Sequence, residues 1–384
     1  MTESIRLATL HFQVLLEEQL ARAAAIEQRS ERVDYASLRP LVIGVIGGDG
    51  IGPIIVKEAR RLLDVLLKNE LASGDIEIRD IEGLTLERRK ALGQSIPEDI
   101  LAAVKRCHVL LKGPTETPKG GTMESANVSL RRELDLYANV RPVRVPEKGI
   151  DWTFFRENTE GEYVLGSAGI AIPGKLAFDF KVTTDAGTAR IARAALEYAR
   201  ANGRTQVAVV TKANIMKKTD GQFSRIVHET AADYPEIEVT DWYVDIMAAN
   251  LINRDIRSRF QVFVMPNLYG DILTDEAAQI QGGVGTAGSA NLGDGYAMFE
   301  AIHGSAPRLI ADGLAAYCNP ASLFRAVEMM LRHIGRTKAA LRLAQALDVC
   351  LESERRLVVS GDRNGATCTE FSDYVLRTLS NEPG

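Results

Sequence analysis

No run in this 384-residue chain is apolar for the roughly 18–20 residues that a bilayer-spanning helix needs, so a helical membrane protein is not expected. Positive charge is not in excess either. Lys and Arg number 46 against 51 Asp and Glu, a net charge of −5, which argues against nucleic acid as a main partner. The cationic residues that matter should therefore cluster around a small anion. Cysteine is scarce: Cys107, Cys318, Cys350 and Cys368 form no CxxC and no Cys/His zinc spacing. They read as free thiols of a reducing compartment. The opening MTESIRLATLHFQVLLEEQLARAAAIEQ lacks a signal-peptide layout, and Glu17 and Glu18 are out of place in a transit peptide, so the cytoplasm is expected. Internal repeats and low-complexity segments are absent. What remains is 46% hydrophobic and 25% charged, long enough for two globular domains.

Two stretches carry the chemistry. The first, TPKGGTMESANVSLRRELDLYANVR (117–141), turns at Gly120 and Gly121, runs through a helical pattern and ends extended at Arg141. Ser125, Asn127 and Arg131 lie on that pattern, and the four-residue step from Asn127 to Arg131 puts both on one helical face. Guanidiniums grip carboxylates through paired parallel bonds, so this surface suits a small polycarboxylate. The second, NLYGDILTD (267–275), sets Asp271 and Asp275 four apart, a spacing that lets two carboxylates hold a hard divalent cation.

Along the chain, residues 5–28 form an amphipathic pattern with Leu7, Leu10, Val14, Leu15 and Leu16 near helical spacing. It reads as an extension packed on the main body or on a subunit partner. LVIGVI (41–46) is a buried strand that breaks into GGDGIGP before a helix. Strands at 76–81, 109–111, 152–156, 206–211, 238–244 and 262–265 alternate with helices at 97–105, 186–202, 220–234 and 246–253, a rhythm of parallel strands and crossover helices. Gly166, Gly169 and Gly174 interrupt β-prone pieces between 163 and 184, which suggests an arm or hairpin. After the Asp271/Asp275 helix comes a glycine-rich passage, GGVGTAGSANLGDG, then helices at 320–334, 337–352 and near 370–380.

Single residues are weaker signals. Gly48, Gly50 and Gly52 miss the spacing of a dinucleotide fingerprint and fit a tight strand-to-helix turn. Arg131, Arg141 and Arg156, each taken singly, read as a surface ion pair before a ligand grip. Tyr163 and Lys212 are acid–base candidates. Asp245, following the strand DWYVD, reads alone as a helix N-cap and gains interest only as a third oxygen ligand. His303 lies in EAIHGSAP, a turn whose amides could cradle a pyrophosphate.

Taken in order, GGDGIGP, KGPTETP, SANVSLRRELDLYANVRP, FFRENTEGEY, KANIMKKTDG, NLYGDILTDEAAQIQGG, EAIHGSAP and RNGATCTEF resemble the isocitrate/isopropylmalate dehydrogenases, metal-dependent β-decarboxylating enzymes. The resemblance covers about residues 41–380. It implies an α/β two-domain fold with mixed sheets flanked by helices and a cofactor site that is not of Rossmann type. The large, discontinuous domain would comprise 41–136 and 282–384, and the small domain 137–281 with a dimer-forming β-arm near 163–184; residues 1–40 would be a helical extension. Arg131, Arg141 and Arg156 would bind substrate carboxylates, Tyr163 and Lys212 would move protons, and Asp245, Asp271 and Asp275 would hold Mg²⁺ or Mn²⁺. Lys212 and Asp245 would come from a neighbouring subunit, making the enzyme a homodimer or larger. Thr117, Glu300, His303, Gly304, Arg308 and Asn319 would line the cofactor pocket.

Ser125 and Asn127 suit isocitrate's third carboxylate, where isopropylmalate enzymes place Leu; homoisocitrate, malate and tartrate stay open, as does a regulatory subunit. Three positions depart from the family pattern: Ile54 after Pro53, Glu124 before Ser125, and Arg308-Leu309 at the cofactor selector. The last pair matches neither the Asp-Ile of NAD enzymes nor the Lys-Tyr of NADP enzymes. NAD is the expected cofactor, with NADP as the alternative.

Overall fold

Short apolar strands fix the scaffold. In chain order they are β1 (Leu41–Ile46), β2 (Ile76–Asp80), β3 (Val109–Lys112), β4 (Ala138–Val145), β5 (Ile150–Glu157) and β6 (Ile170–Ile172). They continue as β7 (Leu176–Phe178), β8 (Gln206–Thr211), β9 (Glu238–Tyr243), β10 (Val262–Met265), β11 (Gly288–Leu292) and β12 (Ala297–Ala301). The computed structural model describes residues 3–28, 32–118, 123–166, 168–283 and 287–381. The Gly120–Gly121 turn and part of the glycine-rich passage lie outside these residues.

The chain divides into two compact units: Met1–Glu31 with Tyr137–Ile280, and Arg32–Leu136 with Gln281–Gly384. In the second unit the strand order is β2-β1-β3-β12-β11. β1 is buried along its whole length because it runs between two parallel partners, β2 and β3, under helices. Its core gathers Val42, Ile46, Leu110, Leu130, Leu136 and Met298. The first unit runs β4-β5-β10-β8-β9. Phe154 and Phe263 stack there at 4.3 Å, with Trp152 set edge-on to both.

The mixed α/β class and the mixed sheet are as expected: β4 and β5 are antiparallel, as are β11 and β12, beside the parallel strands. The glycine-rich passage hides β11. A methyl group on Gly288 would lie 2.5 Å from Ala326 N, so that glycine admits the Ala321–His333 helix rather than loosening a loop. The expected arm contains a hairpin, β6 paired antiparallel with β7. The helix expected at 337–352 is α-helical over Thr337–Asp348 and widens to a π-turn over Val349–Ser353. Two short helices, Lys68–Ser73 and Leu86–Leu92, were not legible in the pattern. No described helix is long and apolar enough to cross a membrane, and all four cysteines are free and buried.

Candidate active site

Each unit contributes its own set of polar residues. In the first unit, β4 presents Arg141, β5 presents Arg156, and the Asn267–Gln281 helix presents Asp271 and Asp275 from successive turns. Arg141 NH1 lies 3.1 Å from Asp275 and donates to Thr274 Oγ1 at 2.7 Å. Arg156 NH1 pairs with Asp271, and Arg156 Nε donates to Asn267 Oδ1 at 2.9 Å. Tyr163 donates to the other Asp271 oxygen at 3.1 Å. Gly270 is there for room: a methyl group would stand 2.4 Å from the Arg156 side chain. Burial disfavours charge on Asp271, but Arg156, Arg141 and the Tyr163 hydroxyl outweigh it and hold its pKa below the usual range. Burial, with Asp271 beside it, pushes Tyr163 up.

Lys212 and Asp245 form a separate pair at 2.5 Å. Asp245 is not an N-cap: Tyr243 holds that place, and Asp245 lies in the first turn of Val244–Ile252. Its pKa is lowered chiefly by the Lys212 hydrogen bond. The Lys212 amide donates to Asp220 Oδ2 at 2.7 Å, and fully buried Asp220 also meets Lys181 at 2.6 Å. Asp220 escaped sequence reading because it looks like an ordinary acidic residue at the start of a helix. Among the described residues, no three His, Cys, Asp or Glu side chains gather closely enough to hold a metal ion. Within one chain, then, Asp245 does not complete the Asp271/Asp275 pair. Those two still fit a hard cation: their carboxylates are partly exposed, 44% and 63%, and Asp271 is held ionised.

In the second unit, the Ala126–Glu133 helix carries Asn127 and Arg131, with Ser125 at its N-cap. Asn127 Oδ1 accepts from Thr115 at 2.9 Å. Arg131 is buried and lies 3.2 Å from Glu300. Glu300 also meets Lys112 at 3.1 Å and accepts from Asn291 at 2.8 Å. Burial would raise the Glu300 pKa; Lys112 and Arg131 overcome it and draw it down to about 2. Lys112, with 0% exposure, shares its anion with Arg131, so burial prevails there and lowers its pKa. Neither Lys112 nor Asn291 stood out in the sequence.

The glycine loop is structural. Gly50 has φ +59, and a methyl group there would lie 2.1 Å from Ser305 O, while Ile51 N donates to that same oxygen at 3.0 Å. Asp49 accepts from Leu86 N at 2.7 Å and Glu116 N at 2.8 Å, holding the loop that leads to exposed Thr117. The turn it supports carries His303 and exposed Gly304. His303 Nε2 is buried without a hydrogen-bond partner, an orphan donor or acceptor that fits a polar ligand such as a nucleotide. Asn319 Oδ1 caps Ala321 N at 2.9 Å, and the Arg308 side chain is 93% exposed, 3.5 Å from Asp312.

The family profile described as isocitrate/isopropylmalate dehydrogenase matches residues 42–375. The chain belongs to that family. It is thereby an NAD(P)-dependent decarboxylating dehydrogenase. It is 38% identical over 353 residues to an NADP isocitrate dehydrogenase of Thermus thermophilus, covering 89% of this chain and 68% of that protein. A probable alpha subunit of the mitochondrial NAD isocitrate dehydrogenase of Caenorhabditis elegans is 36% identical, with 91% and 96% covered. The crystal structure of isocitrate dehydrogenase from Methylococcus capsulatus superposes with a TM-score of 0.78 at 34% identity, covering 88% of this chain and 99% of that one.

Proposed function

We propose that this family member oxidises isocitrate and decarboxylates it to 2-oxoglutarate. The observation that carries the reading is the gathering of Arg141, Arg156, Tyr163, Asp271 and Asp275 in one unit, together with polar Ser125 and Asn127 where an alkyl-binding site would be apolar. Arg131, Arg141 and Arg156 orient the substrate carboxylates. Asp271 and Asp275, with Asp245 of a second copy, hold Mg²⁺ or Mn²⁺, which when bound acidifies the secondary alcohol and steadies negative oxygen after carbon dioxide leaves. Lys212, also from the second copy, takes the hydroxyl proton, and Tyr163 returns one to carbon. Thr117, Glu300, His303, Gly304 and Asn319 would hold the nicotinamide cofactor, which would supply the hydride acceptor.

A homodimer is therefore the smallest active form. Its support is the incomplete acid set of one chain and a hairpin arm that exposes Leu176 and Phe178, 45% and 56%. NAD is the cofactor of this reading. Exposed Arg308 favours NADP as the second, because its guanidinium is available to a 2′-phosphate. The free buried cysteines support a cytoplasmic setting.

The test mixes purified protein with isocitrate, Mn²⁺ and either nicotinamide, and follows the absorbance of reduced cofactor. Isopropylmalate, homoisocitrate, malate and tartrate are run in parallel. Turnover of any of these with none of isocitrate overturns the substrate assignment; no turnover at all points to a regulatory subunit.

A further inference from the structure

The family region begins at residue 42, so the helix Glu3–Glu27 stands outside it. We propose that Arg22 on this helix is a positioning residue for the turn that carries Tyr163. The inference rests on the isocitrate reading above.

The helix holds its unit by few apolar contacts. Leu15 is its one described buried residue, while Leu7, Leu10, Val14, Leu16 and Leu20 are about half exposed. Specific contacts do the anchoring: Phe12 meets Phe180 at 5.5 Å, His11 Nε2 reaches Ala168 O at 2.8 Å, and Arg22 NH2 reaches Glu160 Oε1 at 2.9 Å.

The last contact ends in a built niche. Glu160 is only 4% exposed. Its carboxylate accepts from Thr184 N at 2.9 Å and Thr184 Oγ1 at 2.5 Å, where Thr184 caps the Asp185–Ala201 helix. A methyl group on Gly187 would lie 2.3 Å from Glu160 Oε1, so the glycine leaves space for that oxygen. Glu157 is also buried, and its carboxylate accepts from Glu160 N at 2.6 Å. Two carboxylates in one buried turn need nearby cations. Arg22 supplies one to Glu160.

From Glu160 a chain of bonds leads to the site. Its carbonyl accepts from Asn267 Nδ2 at 3.0 Å; Asn267 Oδ1 accepts from Arg156; Arg156 pairs with Asp271; and Asp271 accepts from Tyr163. Next along the backbone, Gly161 and Val182 exchange both their hydrogen bonds, at 2.8 and 3.1 Å. Arg190 stands on the Glu157 side of the niche, where it donates to Thr159 Oγ1 at 3.0 Å. Removing the Arg22 guanidinium takes away the cation bonded to the Glu160 carboxylate, and the turn shifts to expose that charge.

The experiment uses the full chain with Arg22→Met and Arg22→Lys. It reads kcat, the KM values for isocitrate and cofactor, Tm, and amide hydrogen exchange at Gly161, Val182 and Thr184. For Arg22→Met, kcat falls about tenfold, the order expected for losing one charge-assisted bond behind a positioned group. Cofactor KM stays within about twofold, since the cofactor residues sit in the other unit, and Arg22→Lys restores most of kcat. Exchange at the three amides quickens while that of Val207–Val210 does not. Arg22→Met with kcat within about twofold of wild type and unchanged exchange overturns the proposal. So does a parallel loss of kcat, cofactor KM and Tm that Arg22→Lys fails to rescue. A wild-type chain inert toward isocitrate sinks the substrate reading instead, and the exchange measurement then decides the Arg22 role alone.

Discussion

Glu300→Gln tests the electrostatics of the second unit with a change of almost no volume. Glu300 is 6% exposed and faces Lys112 at 3.1 Å and Arg131 at 3.2 Å. Its pKa drops from an ordinary 4.5 to about 2. A carboxyl whose folded pKa is depressed stabilises the fold above the unfolded pKa and loses that contribution as pH falls toward the folded one. The gap converts to about 3 kcal/mol at pH 7, on the scale of 1.36 kcal/mol per pKa unit. The same relation leaves about 2 kcal/mol at pH 3.5. Glutamine removes the charge and leaves Lys112, with 0% exposure, donating to Gly113 O at 2.7 Å but without its carboxylate. Urea unfolding of both proteins from pH 7 to pH 3.5 measures the difference. The variant should be less stable by about 3 kcal/mol at neutrality, and the gap should narrow by about a third on acidification. Equal stability at pH 7, or a gap that does not change with pH, would refute the assignment of that charge to the Lys112–Arg131 cradle.

Asp271→Asn keeps a side chain of the same shape but takes the counter-charge from buried Arg156, so Tm should fall with the fold retained while turnover falls at least about a hundredfold; stripping the wild type with a chelator should cut turnover as far and Mn²⁺ should restore it. Gly50→Ala forces a methyl group to 2.1 Å from Ser305 O at φ +59, and should lower stability by about 3 kcal/mol and raise cofactor KM, read by thermal melting and steady-state kinetics. Arg308→Asp should shift the ratio of NADP to NAD efficiency by about tenfold toward NAD, the effect of replacing a phosphate-gripping cation with an acid, and an unchanged ratio would show that Arg308 reads neither cofactor.

Much of this was legible because the motifs are local. NLYGDILTD announces two aspartates on one helix face, and the structure puts Asp271 and Asp275 on successive turns of Asn267–Gln281. LVIGVI and VFVM are uniformly apolar, as strands between parallel partners must be, and both are buried throughout. What could not be read depends on residues distant in sequence. Lys112 ends an apolar strand and looks like the start of a loop; only Glu300 on the neighbouring strand makes its burial tolerable. Asp49 seems one more polar residue in a glycine turn until Leu86 and Glu116 bring it their amides. β12, the five residues AMFEA, is too short to declare a period, and β11 is masked by glycines placed for close packing. Asp245 followed a strand and suggested a cap, but the helix begins two residues earlier than that reading required.

The first unit's charges explain why the same arginines can look like both structural partners and substrate grips. Arg141 faces Asp275, Arg156 faces Asp271 and Lys212 faces Asp245, a balanced set in which each cation has its own carboxylate. Arg156 and Arg141 are 2% and 9% exposed, so neither could be left without a counter-charge at small cost. A polyanionic substrate offered alone would have to compete with those aspartates for the guanidiniums, and a divalent cation alone would have to draw the aspartates away from them. Arriving together, as the proposed reaction requires, the two would exchange partners without leaving a buried charge unmatched: carboxylates would turn to arginines as aspartates turn to the ion. The ion pairs that a sequence reading would dismiss as surface salt bridges thus hold Arg141 and Arg156, already desolvated and oriented, in the arrangement the proposed reaction uses.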